Sequence, residues 1–195
     1  MNERFQRPVY VLRKKFLKIF GGAFWIRDPN SDELLFYSKQ KAFKLREDIR
    51  VYADEGMTTE LLAMKTRKII DISPTFDVVD ITTGETVGAL KRKGLKSVIR
   101  DEWIIINQAG QEFGTIKEDS TGLALVRRFL FGWLPQSFVV EANGQVVAKF
   151  HQNWNIFAPR IQLDFSANQS GLLDQRLGIA AAVLLSAIEG RQQSY

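Results

Sequence analysis

Along most of the chain, apolar and polar residues alternate in short runs that break at a glycine. Phe76 to Lys91, turning near Gly84, is one such unit; Trp103 to Lys117, turning near Gly110, is a second, and Phe138 to Phe150, turning near Gly144, is a third. Phe24 to Tyr37, with Asp28-Pro-Asn-Ser-Asp-Glu33 in its middle, reads as a degenerate fourth. Each unit predicts a β-hairpin, because glycine supplies the positive φ of a tight turn and β-branched or aromatic residues flank it. Ile49–Tyr52, Leu61–Ile70 and Ile161–Phe165 predict further strands, about ten to twelve in all on this pattern. No crossover helices separate them, so the expected fold is mainly β: an antiparallel sheet closed on itself to hide its edges.

The C-terminal segment breaks the pattern. From Leu177 to Ile188 it is apolar all round, with Asp174 as a plausible N-cap and Gly190 as an expected stop. A helix with no polar face must be enclosed, and this apolar run is shorter than the roughly 20 residues that span a bilayer. At 1.5 Å per residue it measures about 18 Å, close to the roughly 17–20 Å of five- or six-residue strands. The expectation is a hydrophobic helix, about 174–189, buried inside the barrel, and a single domain over residues 1–195. Near the start, Val9, Leu12, Phe16, Ile19 and Phe20 instead show helical spacing, with Arg13, Lys14, Lys15 and Lys18 between them.

Composition narrows the chemistry. The chain has 195 residues with 0 Cys and 1 His, which removes disulfides, thiolate zinc sites and histidine-based nucleophile triads. Gly-rich phosphate loops, nucleophile elbows and paired-His motifs are missing from it. His151, expected just after a strand ending at Phe150, reads as a surface or hydrogen-bonded histidine. Glu47-Asp48 and Asp101-Glu102 read as solvated charges, since neighbours on a strand point to opposite faces. No enzyme, cofactor or metal is expected.

The net charge is +5. Residues 1–20 hold Arg4, Arg7, Arg13, Lys14, Lys15 and Lys18 against Glu3, and the remainder is balanced, which suggests a basic patch near the N-terminus or a lysine-protected strand edge. Nucleic-acid binding is not expected without a broad basic stripe. The start of the chain lacks the apolar run of a secretory signal, so the default location is cytoplasmic.

Several spaced elements resemble the Tubby C-terminal-like superfamily, and within it the phospholipid scramblase and LURP-one-related group. They are Gly21-Gly-Ala-Phe-Trp-Ile-Arg-Asp28, similar to an opening strand and turn; Val146-Val-Ala-Lys-Phe150 followed by Trp154; and Leu173-Asp174 leading into Arg176-Leu-Gly-Ile-Ala-Ala-Ala-Val-Leu-Leu-Ser-Ala-Ile-Glu189. The resemblance covers about residues 8–190. It implies twelve strands around a central helix, with strands also at the N-terminus, and a function in binding phospholipid or phosphoinositide. The scramblase cysteine cluster is absent, and of the scramblase acidic calcium motif only Asp174 has a counterpart.

Two stretches combine the residue types that favour an anionic bilayer interface. One is Lys91, Arg92, Lys93 and Lys96 around Gly94, read as a basic loop or, alternatively, as a lysine-protected edge strand. The other joins Arg127 and Arg128 to Phe129, Phe131 and Trp133, read as a short helix and loop or as a lid over one barrel end. The leading expectation is a non-enzymatic, scramblase-like module that associates weakly with anionic phospholipid at the inner membrane face. The alternative is a structural adaptor that binds a protein partner and has no lipid role.

Overall fold

The structure, a computed structural model, is described over residues 2–17, 21–40, 48–67, 74–93, 102–119, 137–153 and 160–192. After a single 3-10 turn (Glu3–Gln6), twelve strands follow: β1 (Val9–Leu17), β2 (Gly21–Arg27), β3 (Leu34–Gln40), β4 (Ile49–Tyr52), β5 (Glu60–Thr66), β6 (Thr75–Asp80), β7 (Glu85–Arg92), β8 (Glu102–Ile106), β9 (Glu112–Glu118), β10 (Ser137–Ala142), β11 (Gln145–Gln152) and β12 (Arg160–Asp164). One helix, α1 (Gln175–Gln192), closes the chain. Each strand pairs antiparallel with its sequence neighbours, and β1 pairs with β12, so the sheet is a closed up-and-down barrel. Closure removes every free edge.

All four expected hairpins are present, as β2–β3, β6–β7, β8–β9 and β10–β11. The turn glycines Gly84, Gly110 and Gly144 have φ of 74°, 79° and 76°, which an L side chain rarely adopts. Each of these hairpins also carries a register shift on the strand entering its turn, an irregularity that increases local twist.

Val9–Leu17 forms a strand despite its helical spacing, as the family resemblance implies: β1 supplies both the β2 and the β12 ladders that close the barrel. Two expectations change. The strand expected over Leu61–Ile70 ends at Thr66. Gly190 does not stop the helix, which continues to Gln192; an interior glycine costs only about 1 kcal/mol and does not by itself break the hydrogen-bond ladder.

Arg176 to Ala187 are buried without interruption, so over that span α1 is enclosed on every face, as expected. Asp174 caps it: its Oδ1 accepts from the Arg176 amide at 2.9 Å. Ala180, Ala181 and Ala182 keep one turn narrow, and Val183, Leu184 and Leu185 fill the space beyond. Around the helix lie inward residues of the strands, among them Phe24, Phe36, Leu62, Val78, Trp103, Val140, Phe150 and Leu163. Among the described residues no helix is long and apolar enough to cross a membrane.

Candidate functional site at one end of the barrel

The up-and-down order places successive connections at alternate ends. At the end where α1 begins, here called proximal, lie residues 28–33, 53–59, 81–84, 107–111 and 143–144, together with 165–174 before the helix. These segments contain Asp28, Asp32, Glu33, Asp54, Glu55 and Asp174 and no Lys or Arg. At the distal end, residues 18–20, 41–48, 67–74, 93–101, 119–136 and 153–159 join the strand ends. Those carry Lys18, Lys41, Lys44, Arg46, Arg67, Lys68, Lys93, Lys96, Arg100, Arg127 and Arg128, eleven cations, against Glu47, Asp48, Asp71, Asp101 and Asp119.

The proximal carboxylates are held in place. Asp28 Oδ1 accepts from the amides of Asn30 (2.9 Å) and Ser31 (3.1 Å), and these bonds hold its carboxyl below the usual range; Arg7 stands 3.8 Å away. Asp32 meets Arg13 at 2.8 Å, and Asp54 accepts from the Thr58 and Thr59 amides of its own loop. Arg4 donates to the carbonyls of Leu34 (3.1 Å), Leu35 (2.9 Å) and Ala53 (3.3 Å). Of the cations expected to form an N-terminal basic patch, Arg4, Arg7 and Arg13 serve the proximal turns, and Lys18 lies outside the described residues. Nothing local in residues 1–20 marks those partners.

The most buried charges lie beside them. Arg176 donates to Asp80 (2.8 Å), Glu85 (2.8 Å) and Asp174 (2.7 Å), tying the start of α1 to the β6–β7 hairpin. Burial pushes the Asp80 carboxyl up, but hydrogen bonds from Thr82 and Arg176 outweigh it and hold the group below its ordinary value. Asp174 is thus a cap and an ion-pair partner. Among the described residues no group of three His, Cys, Asp or Glu side chains is arranged to hold a metal.

At the distal end, Lys91 and Arg92 are the last residues of β7 and Lys93 follows directly. β7 pairs with β6 and β8, so Lys91 and Arg92 lie on an interior strand of a closed barrel rather than in a loop or on an edge strand, while Gly94 and Lys96 lie outside the described residues. Lys91 stands 3.9 Å from Glu112, and Lys93 donates to Glu102 at 3.0 Å while staying 57% exposed. An open surface groove of about 470 Å³ adjoins Lys93, with Ile104, Phe113, Thr115 and Lys117 among its walls. Lys96, Arg127, Arg128, Phe129, Phe131 and Trp133 lie outside the described residues, but the connections that contain them, 93–101 and 119–136, both join distal strand ends. His151 sits inside β11 rather than after it, exposed, with Nδ1 2.7 Å from Ser137 Oγ.

A closed antiparallel barrel of twelve strands threaded by a C-terminal helix defines the structural class. The model of the LURP-one-related family matches residues 34–186, and the chain belongs to that family. No curated protein and no solved structure matches it.

Proposed function

We propose that this LURP-one-related chain is a non-enzymatic binding module, related to the scramblases within the Tubby C-terminal-like superfamily, that attaches peripherally to anionic phospholipid on the cytoplasmic side. One observation supports the reading: Lys91, Arg92 and Lys93 stand at one end of the barrel, Lys93 57% exposed, and the connections 93–101 and 119–136, which contain the remaining basic and aromatic candidates, both join strand ends on that side. Each Lys or Arg near an anionic bilayer contributes about 1 kcal/mol, so several on one end suffice for weak, salt-sensitive attachment. The helix fills the barrel interior, which favours a surface ligand over an enclosed one.

Co-sedimentation with neutral and with phosphatidylserine-containing vesicles at about 0.05 and 0.3 M salt tests this, since screening weakens surface electrostatics over that range. Binding to anionic vesicles alone, lost at high salt, is the expected result. Absence of binding overturns it in favour of a second reading, a protein adaptor. One observation favours that alternative: Met57 (42% exposed) and Ile81 (38%) lie in the β4–β5 and β6–β7 turns, neither of which contains a Lys or Arg.

A further inference from the structure

We infer that the proximal end docks a basic amphipathic helix of a partner protein, with the helix's apolar face on Met57 and Ile81 and its cations among the surrounding carboxylates. This is the surface that favours the adaptor reading, on which the inference rests; lipid at the opposite end is neither required nor excluded. Among the described residues three large apolar side chains are exposed, Met57 (42%), Ile81 (38%) and Val146 (40%). All three stand at the proximal end: in the β4–β5 turn, in the β6–β7 turn, and at the second residue of β11, just past its turn. Apolar groups left exposed together at one end, amid polar surroundings, mark an interaction surface. Met57 also adopts φ 57°, a region that disfavours a long side chain and suits Gly or Asn. Two local preferences, for a polar residue at an exposed tip and for Gly or Asn at positive φ, are thus set aside at one position.

The two turns are held side by side. Ala53 N–H donates to the Thr59 carbonyl at 2.9 Å and closes the first; the Ile81 amide donates to the Leu61 carbonyl at 2.9 Å and sets the second beside the start of β5. Turns on either side of one strand lie about two strand spacings apart, roughly 10 Å, which is the rise between residues i and i+7 on one helix face. Charge selects the partner. The carboxylates here stand outside the arginines that meet them: Glu55 is 53% exposed against 23% for Arg27 at 3.9 Å, and Glu85 43% against 9% for Arg176. Asp54 is held by the Thr58 and Thr59 amides of its own turn, and Arg50 of β4 is taken by Glu60 at 2.6 Å. Neither residues 53–59 nor 81–84 include a Lys or Arg. The surface that surrounds Met57 and Ile81 is therefore negative, which attracts Lys and Arg on a partner and repels an acidic one.

The test titrates the nitrogen-15-labelled full chain, without lipid, with a synthetic helix of roughly 14 residues made of Leu and Lys with all leucines on one face. A control peptide of the same composition has its leucines spread around the helix. Amide shifts confined to residues 53–59, 81–84 and their strand ends are expected, with the control bound at least about tenfold more weakly. Met57→Asn with Ile81→Thr should weaken binding of the amphipathic peptide by at least about tenfold. Met57→Asn alone, which suits the turn's backbone, carries the same test with a smaller loss if the double variant melts early. Glu55→Gln should also weaken binding, by a few-fold. Shifts centred elsewhere, equal affinity for the two peptides, undiminished binding by the folded variants, or no binding of either peptide by the native chain overturns the inference. Because no vesicle is present, such a failure leaves the phospholipid reading standing.

Discussion

Replacing Arg176 by Met removes the one cation that neutralises Asp80 inside the proximal end, while keeping an apolar side chain of similar length. Arg176 and Asp80 side chains are 9% and 4% exposed. Removing one partner of a buried pair costs about 3–5 kcal/mol, because the other charge stays desolvated. Asp80 keeps its bonds from the Thr82 amide (2.9 Å) and hydroxyl (2.6 Å), which argues for the low end, about 3 kcal/mol. For a chain of this size that corresponds to a fall of roughly 6–12 °C in Tm. The sign of the pH dependence follows from the direction of the shift. The Asp80 carboxyl is held below its ordinary value in the fold, so its contribution is complete above that value, near 3.9, and is lost as pH falls through the folded pKa. The gap between native and Arg176→Met should therefore be constant from about pH 8 to 5 and narrow below about 4. Adding Asp80→Asn should restore part of the loss by discharging the stranded carboxylate. Urea unfolding followed by tryptophan fluorescence measures all three chains. A gap under about 1 kcal/mol at pH 7, or one that is unchanged on acidification, would refute the assignment of Arg176 as the charge that holds α1 to the β6–β7 hairpin.

Other outcomes follow from the same structure. Gly178→Ala should destabilise by about 1–3 kcal/mol even though alanine is the better helix former, since the new methyl would stand 2.7 Å from Phe165 Cζ and the ring is hemmed in by Tyr10 and Phe150; Phe165→Leu in the same chain should recover part of that loss by thermal melting. Asn168→Ala should cost about 1–2 kcal/mol in urea, because its side chain both donates to the Leu173 carbonyl and accepts from the Leu173 amide just before the helix. Burial pushes the Tyr10 hydroxyl up to about 12. An ultraviolet titration should show one tyrosine ionising late, and stability should be fully present below pH 10 and decline as pH rises toward 12.

Local pattern was enough for the elements whose cause is local. The turn glycines, the alternation of β6 to β11 and the run Leu177–Ala187, apolar but for Ser186, each specify their own conformation, and enclosure of the helix follows from its lack of a polar face. What depends on closure was not legible in this way. β1 has helical spacing and becomes a strand only because β12 and β2 both need it. Arg176 finds Asp80, 96 residues earlier, and Arg4 finds the carbonyls of Leu34 and Ala53; no spacing announces either contact. That the connections 93–101 and 119–136 join strand ends on the same side of the barrel was present in the sequence, in the parity of the hairpins. In an up-and-down barrel alternate connections join strand ends on the same side.

The assignment of the lipid-facing end stands or falls on one comparison: binding of the native chain and of a variant with Lys91, Arg92, Lys93, Lys96, Arg127 and Arg128 all changed to Gln, on phosphatidylserine vesicles at about 0.05 M salt. At about 1 kcal/mol for each cation near the surface, a loss of at least about 100-fold in apparent affinity is expected, with the variant's thermal melt unchanged. Undiminished binding by a folded variant would contradict the assignment of these residues and of the distal end as the membrane-facing surface.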